Sequence, residues 1–353
     1  LLIETGGILL SADGAGSTII DGSNPADNMG STITIRPASG SATFPQGIEI
    51  SGFTITGGIG NSMNRNTPSG AVTRRLGGGI MVYNTSPKIK YNHIKGNGNS
   101  QTANGGGIIF VDGAEDWSFN DREWILNPNL PPIADDLDFS HNTFEGNEAE
   151  IGSSISISGL GEYSINLSEG YFDVYNSDLG SASEYWVKSD ISSFSFSGSS
   201  GEIEAITNHV WVDPVGGSNQ GNQSGSYDDP FKTIDYALAM IFPTEDNPIT
   251  INLFPGTYSP SLSGEAEVIS PINSISIIGT ESTGILLEEI LLRYSYCRDG
   301  CKASSFSIHN GRVSSYQSTI EIEKLLIYDN DDYSALTTNL SKVILFNTTI
   351  DND

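Results

Sequence analysis

The chain has few cysteines, few cations and no long apolar stretch. Of 353 residues only two are cysteine and 16 are Lys or Arg, and the formal net charge is −27. A phosphate backbone is bound by clustered cations, so we expect no nucleic-acid binding and no attachment to an anionic membrane surface. No apolar run approaches the roughly 20 residues that span a bilayer, so we expect no membrane insertion in this segment.

The sequence also lacks an initiator Met, a signal peptide and a lipidation motif. We therefore expect it to begin within mature or truncated sequence. Acidity, scarce cysteine and long segments of Ser, Thr, Asn and Gly are typical of secreted or surface proteins. The predicted location is extracellular or at a cell surface.

The two cysteines, Cys297 and Cys301, stand four positions apart. In an oxidising compartment they are predicted to close a small loop through a disulfide; two free thiols are the main alternative. Two thiols alone make a poor zinc site.

Glycine is abundant, with 40 residues, and only 17% of the chain is charged. This composition favours short strands joined by tight turns over helical bundles. Two segments repeat: "KIKYNHIKGN" (88–97) and "DFSHNTFEGN" (138–147) each place an Asn two residues before an apolar residue, followed by Gly-Asn. "GGGI" recurs at 77–80 and 105–108.

Short strands that recur every 20–30 residues or so, with Asn and Gly at the bends, predict the coils of a parallel β-solenoid. The repeated Asn side chains are expected to stack as hydrogen-bonded ladders between coils. His93 and His141 are expected at corresponding repeat positions, in a stacking or surface role.

A longer repeat divides the chain. "GILLSADGAGSTII" (7–20) aligns on "SISIIGTESTGILL" (274–287), and "IEISGFTI" (48–55) aligns on "IEIEKLLI" (320–327). We predict two tandem modules, 1–209 and 210–353, the first with an aromatic, β-rich end from about residue 160. The second module is expected to be truncated, within a longer tandem array.

One segment departs from the strand pattern. In "DDPFKTIDYALAMIF" (228–242), apolar residues fall at helical spacing, and Asp229 and Pro230 suit the start of a helix. An exposed solenoid end needs a cover against aggregation. We therefore predict a short amphipathic helix over 230–242 that caps the second module; the matching cap of the first would precede Leu1.

"VDPVGGSNQGNQSGSYDDPFKTIDYALA" (212–239) with "INLFPGTYS" (251–259) resembles the N-terminal segment of secreted right-handed β-helix proteins of the pectin-lyase-like superfamily. The resemblance implies an all-β fold, a right-handed parallel β-helix. "GGGI" and "FEGN" are also similar to repeats of polymorphic outer-membrane autotransporter adhesins, which implies a bacterial source. This fold hosts lyases, hydrolases and adhesins, so it does not define an activity.

Catalytic motifs of the polygalacturonase type are absent from the sequence. The Asp pairs at 135–136, 228–229 and 331–332 stand in turn-like contexts, where solvated or capping carboxylates are common. Lys88, Lys90 and Lys95 have no carboxylate cluster beside them in sequence and are interpreted as a solvated face. Calcium is kept open as a ligand, with no ligand set assigned, because "DNDD" (329–332) lacks the spacing of an EF-hand loop.

The segment 112–136 interrupts the repeats and carries aromatic residues among polar ones. Long loops on a rigid scaffold often carry function, and aromatic faces stack on sugars or anchor proteins. The candidate binding residues are Trp117, Phe119, Arg122 and Trp124. The alternative is that the aromatic rings fix the loop against the scaffold.

We therefore expect a non-enzymatic, structural or adhesive rod that presents loops to an extracellular polysaccharide or a surface protein, with self-association into filaments as a further expectation. The alternative is a polysaccharide lyase or glycoside hydrolase. A groove in which three or more acidic residues from successive coils meet beside Arg or Lys would favour the enzyme.

Overall fold

The computed structural model describes most of the chain and divides it into two compact units, Leu1–Glu204 and Ala205–Asp353. The described residues are 1–24, 29–67, 70–111, 117–119, 136–158, 164–176, 181–182, 185–188, 193–220, 223–244, 246–271, 274–281, 284–295, 297, 301–316, 318–328, 335–339 and 341–350. They form an all-β fold with many parallel strands and, among the described residues, a single helix. No helix in this described part is long and apolar enough to cross a membrane.

The strands of the first unit are β1 (Leu2–Ile3), β2 (Ile8–Leu10), β3 (Ile19–Asp21), β4 (Ile33–Ile35), β5 (Glu49–Ser51), β6 (Thr54–Thr56), β7 (Asn61–Thr67), β8 (Gly70–Leu76), β9 (Ile80–Tyr83), β10 (Lys88–Lys90), β11 (His93–Lys95), β12 (Thr102–Asn104), β13 (Ile108–Val111), β14 (Trp117–Phe119), β15 (Leu137–Asp138), β16 (Thr143–Glu145), β17 (Ile155–Ser158), β18 (Ser164–Asn166), β19 (Tyr171–Asn176), β20 (Ser181–Ala182), β21 (Tyr185–Lys188), β22 (Ser193–Ser195) and β23 (Ser200–Glu204).

Most of these strands belong to three parallel sheets that the chain visits in turn. Sheet A has the order β1-β4-β9-β13-β17-β21, and sheet B the order β2-β5-β10-β15-β18-β22. Sheet C runs β3-β6-β11-β16-β19, with β23 parallel to β19 and β20 antiparallel to it. Apolar residues at every second position supply one continuous core from all three sheets, with Ile33 from A, Ile50 from B and Ile55 from C among its members.

The two "GGGI" copies of the sequence lie at adjacent strand entries of sheet A, because Ile80 pairs with Ile108. The structure adds two less regular copies, "GSTI" (30–33) and "GSSI" (152–155). Ile33 pairs with Ile80, and Ile155 pairs with Ile108, so all four copies lie at the same register. A Cβ on Gly106 would stand 2.6 Å from the carbonyl oxygens of Glu148 and Ser153. Backbone at this position approaches neighbouring backbone closely, which explains the glycines.

A second, smaller sheet covers part of sheet A. This covering sheet has the order β12-β8-β7-β14, in which β7 and β8 form an antiparallel hairpin and β14 adds antiparallel to β7. Alternate residues of β9 belong to different cores: Ile80 and Val82 join the main core, while Met81 and Tyr83 join an apolar cluster with residues of the covering sheet. Strand β9 is therefore buried on both faces.

The elements of the second unit are β24 (Val210–Val212), α1 (Ile234–Met240), β25 (Ile249–Leu253), β26 (Gly256–Tyr258), β27 (Val268–Ile269), β28 (Ile275–Gly279), β29 (Ile285–Glu288), β30 (Leu291–Ser295), β31 (Cys301–Ser304), β32 (Ser307–His309), β33 (Arg312–Tyr316), β34 (Thr319–Glu323), β35 (Leu326–Tyr328), β36 (Leu336–Asn339), β37 (Lys342–Phe346) and β38 (Thr349–Ile350). Three parallel sheets again share the strands in turn, in the orders β24-β25-β28-β31-β34-β37, β26-β29-β32-β35-β38 and β27-β30-β33-β36.

The helix is shorter than the predicted span of 230–242. It runs from Ile234 to Met240 with Thr233 as its N-cap, so the expectation that Asp229 and Pro230 begin the helix is wrong. Phe231 is held in an extended bridge to Val212, which prevents an earlier start. The helix buries Ile234, Ala237 and Met240 and packs against β24, the outermost strand of its sheet.

The segments aligned by the long repeat all contain strands, but their spacing differs between the units. Strands β2 and β5 are neighbours in sheet B, whereas their aligned partners β28 and β34 are separated by β31. The second unit therefore has an additional strand between the aligned segments, and its strand order does not follow the repeat one for one.

Candidate ligand-binding surface

The predicted aromatic loop contributes its described part to the covering sheet. Phe119 is only 5% exposed; its ring packs edge-on against Tyr83 at 5.3 Å, and the Arg36 guanidinium lies 4.6 Å from the ring centroid. Phe119 thus belongs to an apolar cluster, which agrees with the alternative that the ring fixes the loop against the scaffold; its predicted binding role stays a prediction. The side chain of Trp117, and all of Arg122 and Trp124, lie outside the described residues, so their predicted binding role stays a prediction.

The cysteine pair lies in the second unit. Cys297 and Cys301 are both buried, and the structure pairs their sulfurs across a Cα–Cα distance of 6.3 Å. This distance falls within the range that a disulfide spans. The oxidation state itself stays a prediction, which peptide mapping under non-reducing conditions tests.

Two of the Asp pairs have a described member. Asp229 Oδ2 accepts a hydrogen bond from the Ser224 N–H at 2.9 Å, and Asp136 Oδ1 accepts one from the Ser164 N–H at 3.2 Å. The first contact is local, of the kind that turn carboxylates make, whereas the second joins residues 28 positions apart in the chain. Asp331 and Asp332, with the rest of "DNDD", lie outside the described residues.

The Asn repeats form the predicted ladders. The Asn92 side-chain amide donates to Asn142 Oδ1 at 3.2 Å, and that of Asn97 donates to Asn147 Oδ1 at 3.0 Å. All four residues are buried. These ladders fix which residues of successive strands lie side by side, because each Asn also binds backbone groups of its neighbours.

Residues at matching register on successive strands are called a column below. One column of sheet C is charged and runs through β11, β16, β19 and β23: Lys95, Glu145, Asp173 and Glu202. His93 Nε2 lies 2.6 Å from Glu145 Oε2, and Asp173 Oδ2 accepts a hydrogen bond from the Gly146 N–H at 2.6 Å. Three carboxylates from successive strands therefore meet beside a lysine and a histidine.

Asp173 lies between Glu145 and Glu202 in this charged column. Burial raises the pKa of Asp173 above its ordinary value, and the charges of Glu145 and Glu202 raise it further. The Gly146 N–H and His93 lower this pKa without reversing the rise. Among the described residues no group of His, Cys, Asp and Glu is arranged to hold a metal ion.

Sequence inspection missed the charged column because its members are far apart along the chain. The lysines of this region are not isolated from carboxylates either, since Lys90 Nζ lies 3.8 Å from Asp138 Oδ2. The available signal was the Asn repeat. Aligning Asn97 on Asn147 places Lys95 beside Glu145, as the structure does.

A second column follows the bend between sheets B and C. It consists of Gly52, Tyr91, His141, Glu169 and Gly198, as the register of sheet B requires. All five have positive φ, with values of 83°, 57°, 56°, 56° and 73° in that order. The Tyr91 and His141 rings stack with centroids 4.5 Å apart and an interplanar angle of 14°.

This column corrects the interpretation of the two histidines. His141 precedes the ladder Asn142, whereas His93 follows the ladder Asn92, so His93 pairs with Thr143 and His141 pairs with Tyr91. The two histidines therefore do not occupy corresponding positions. A stacking role holds for His141, whereas His93 Nε2 contacts Glu145 Oε2.

The second unit contains a related column on β29, β32 and β35. His309 lies between Glu288 and Tyr328, with Nδ1 3.3 Å from Glu288 Oε1 and the two rings 4.9 Å apart. The interplanar angle is 33°, so this pair is tilted rather than stacked.

Comparison with protein-family models, with curated proteins and with solved structures finds no match to this chain.

Proposed function

We propose that each unit is a right-handed parallel β-helix and that the protein is a non-enzymatic, extracellular or bacterial cell-surface scaffold that presents its outer surface and loops for binding to carbohydrate or protein. Support comes from the three sheets that the chain visits in turn in each unit and, in the first unit, from the core to which all three sheets contribute. Side chains on such a scaffold are repeated at strand spacing, which suits an extended partner such as a polysaccharide.

The observation that carries this proposal is the covering sheet. Two segments leave the path of sheets A to C and pair with each other through β7 and β14. An apolar cluster that includes Met63, Leu76 and Phe119 anchors them on β9 and β13 of sheet A. The chain thus adds a platform on sheet A that ends at Phe119, three positions before Arg122 in the sequence, an arrangement suited to presentation.

A second candidate function, polysaccharide cleavage, is favoured by the charged column. A carboxyl group with a raised pKa retains its proton at higher pH and can donate it to a leaving oxygen. Asp173 has this property and lies between two other acidic residues of the column. Lys95 and His93 supply groups that can hold or accept a proton at the same surface.

One assay separates the two functions. The protein is incubated with insoluble cellulose, with insoluble xylan, and with polygalacturonate in the absence of calcium or gelled by calcium. Both the fraction of protein bound and the soluble sugar products are measured. Binding without product supports the scaffold. Release of reducing ends or unsaturated uronates that is lost in the Asp173→Asn variant supports the enzyme and overturns the proposal.

A further inference from the structure

Three aromatic side chains form one surface cluster in the second unit. The Tyr227 ring contacts the Trp211 ring edge-on, with centroids 6.2 Å apart and an interplanar angle of 80°, and it contacts the Phe254 ring at 5.0 Å and 61°. Tyr227 is 61% exposed, whereas Trp211 and Phe254 are half-buried. Single exposed apolar residues are common on protein surfaces, but rings that are exposed together mark interaction surfaces. Trp211, Tyr227 and Phe254 are called the aromatic patch below.

The turn that carries Tyr227 is fixed to the scaffold by backbone contacts. Tyr227 lies inside a tight turn closed by an antiparallel bridge between Ser226 and Asp229, and the Asp229 N–H donates to the Ser226 carbonyl oxygen at 3.2 Å. Just before this turn, the Gly225 carbonyl oxygen accepts a hydrogen bond from the Trp211 N–H at 2.8 Å. The ring is therefore held on the scaffold before any partner binds, which reduces the conformational entropy lost on binding.

The surroundings of the aromatic patch lack positive charge. Between Lys188 and Arg293 the sequence contains a single Lys or Arg, Lys232, among many Asp and Glu residues. Asp228 follows Tyr227 in the same turn and is exposed. A surface of this charge attracts cations and repels anionic partners such as acidic lipid headgroups. A neutral sugar stacking on the ring would gain nothing from this charge.

Arginine suits both properties of this surface. Its planar guanidinium stacks on aromatic faces and donates paired hydrogen bonds to carboxylates, and its aliphatic stem packs on apolar groups. Because they are adjacent in one exposed turn, Tyr227 and Asp228 offer both kinds of contact to a single side chain.

We propose that the aromatic patch and Asp228 form a docking surface for a basic segment of a partner protein. One arginine of that segment lies on the exposed face of the Tyr227 ring and pairs with the Asp228 carboxylate, while Trp211 and Phe254 support the ring. This inference rests on the proposed function, of which it specifies a protein partner and the charge of its binding segment.

The test measures binding of fluorescein-labelled octa-arginine to the full chain by fluorescence anisotropy, in about 150 mM NaCl so that long-range attraction is screened. The informative variant is Tyr227→Ser, because serine suits a turn and the change removes the ring without altering the net charge. We expect this variant to bind the peptide at least about five-fold more weakly than the wild type does, as the loss of a cation–π contact predicts. Asp228→Asn is expected to weaken binding as well, because the paired carboxylate is lost.

Two further variants act as controls. Tyr227→Phe keeps an aromatic face and is expected to retain binding. Tyr171→Ser removes a ring of the first unit that is 37% exposed, again without a change of net charge, and is expected to leave binding unchanged. An unchanged thermal unfolding midpoint shows that each variant is folded.

The outcomes distinguish this site from the proposed function. Equal binding of octa-arginine to the wild type and Tyr227→Ser means that overall negative charge alone holds the peptide, and the docking surface is overturned. No binding to the wild type overturns it too. Loss of binding to insoluble polysaccharide in Tyr227→Ser, with octa-arginine binding unchanged, makes the patch a carbohydrate surface and also overturns the proposal. None of these results changes the scaffold proposal, which the polysaccharide assay tests separately through product release.

Discussion

Asn142 shows how one buried side chain joins neighbouring strands. Its amide donates hydrogen bonds to the carbonyl oxygens of Ile89 at 2.6 Å and Phe139 at 2.8 Å, and its oxygen accepts one from the Asn92 N–H at 2.9 Å. The residue is 1% exposed. Each of these partners is a backbone group that water cannot reach, so the side chain replaces hydrogen bonds that the bend would otherwise lose.

We therefore expect Asn142→Ala to lower the free energy of unfolding of the first unit by about 3 kcal/mol, since each buried group left without a partner costs about 1–3 kcal/mol. Chemical denaturation followed by tryptophan fluorescence measures the loss. The matched control is Thr143→Ala, one residue along and facing outward, which should stay within about 0.5 kcal/mol of the wild type. Equal losses in the two variants would contradict the structural role of the ladder.

Glu265 plays a comparable part in the second unit. It is 4% exposed, and its carboxylate accepts hydrogen bonds from the N–H groups of Ile234 at 2.7 Å and Asp235 at 3.0 Å, at the start of α1. Burial raises the pKa of Glu265 from 4.5 to about 7, against the lowering effect of these N–H groups, and the charge of Asp235 adds to the rise. The buried Tyr258 hydroxyl also interacts with Glu265, and its own pKa is raised.

This shift predicts a pH-dependent stability. A carboxyl whose pKa is raised on folding favours the folded state most below pH 4.5, and this contribution is lost as the pH rises through about 7. The shift corresponds to about 3 kcal/mol over that window. We expect the Glu265→Gln variant, which does not titrate, to lack this decline in stability.

The measurement compares the free energies of unfolding of the wild type and Glu265→Gln between pH 4 and pH 8, at values chosen about half a unit apart. Other titrating groups act equally in both proteins and cancel in the difference. Two parallel curves would contradict the assignment of a raised pKa to Glu265.

Glycine is required where the chain enters sheet A, because neighbouring backbones approach too closely there to admit a side chain. A Cβ on Gly106 would meet two carbonyl oxygens at 2.6 Å, whereas a Cβ on Gly16 would have no neighbour within 4 Å. We expect Gly106→Ala to lower the free energy of unfolding by at least about 2 kcal/mol, because backbone atoms must move to admit the methyl group. Gly16→Ala is the control and should change stability by less than about 0.5 kcal/mol. Thermal and chemical unfolding of both variants measure this difference, and similar stabilities would contradict the close packing.

The covering sheet depends on a small apolar cluster, so a change there should act locally. Phe119→Ala removes a ring that packs against Tyr83 and lies beneath the Arg36 guanidinium. We expect a loss of about 3 kcal/mol in the stability of this sheet. Amide hydrogen exchange should therefore accelerate in β7, β8 and β14, while the amides of sheets B and C exchange as in the wild type.

Phe119→Leu keeps an apolar side chain and is expected to cost less than about 1.5 kcal/mol. Faster exchange throughout the first unit in Phe119→Ala would show that the cluster belongs to the main core, which would contradict its separation from sheets B and C.

Structural features that arise from residues close together in the sequence could be predicted. Features that depend on contacts between distant residues were predicted only in part. The Asn repeat predicted the ladders, and the two copies of "GGGI" noted in the sequence lie at adjacent strand entries of one sheet. Helical spacing found α1 but gave it too many residues, because the bridge between Phe231 and Val212 is a tertiary contact. A local pattern carries no information about such a contact.

The candidate surfaces were harder to predict for the same reason. Glu145, Asp173 and Glu202 become neighbours only when β16, β19 and β23 are placed in register. Phe119 was predicted to be an aromatic residue of a binding loop. Its place in the covering sheet could not be predicted, because the antiparallel pairing of β14 with β7 produces no repeat in the sequence. The positive φ of Tyr91 was not predicted because it belongs to the bend between sheets B and C, whereas tyrosine itself disfavours this conformation.

Each unit is built from strands of distant parts of the sequence that lie parallel and in a defined register. Disulfide cross-linking between paired cysteines tests this most directly, because the bond forms only across Cα distances of about 4.4–6.8 Å. Glu49 and Lys88 are register partners on β5 and β10, whereas Lys90 pairs with Ser51.

We predict that Glu49→Cys combined with Lys88→Cys cross-links on mild oxidation, and that Glu49→Cys combined with Lys90→Cys does so far more slowly. Peptide mapping by mass spectrometry identifies the new bond separately from any between Cys297 and Cys301. Equal cross-linking of the two pairs, or faster cross-linking of the second, would contradict the register on which the proposed scaffold depends.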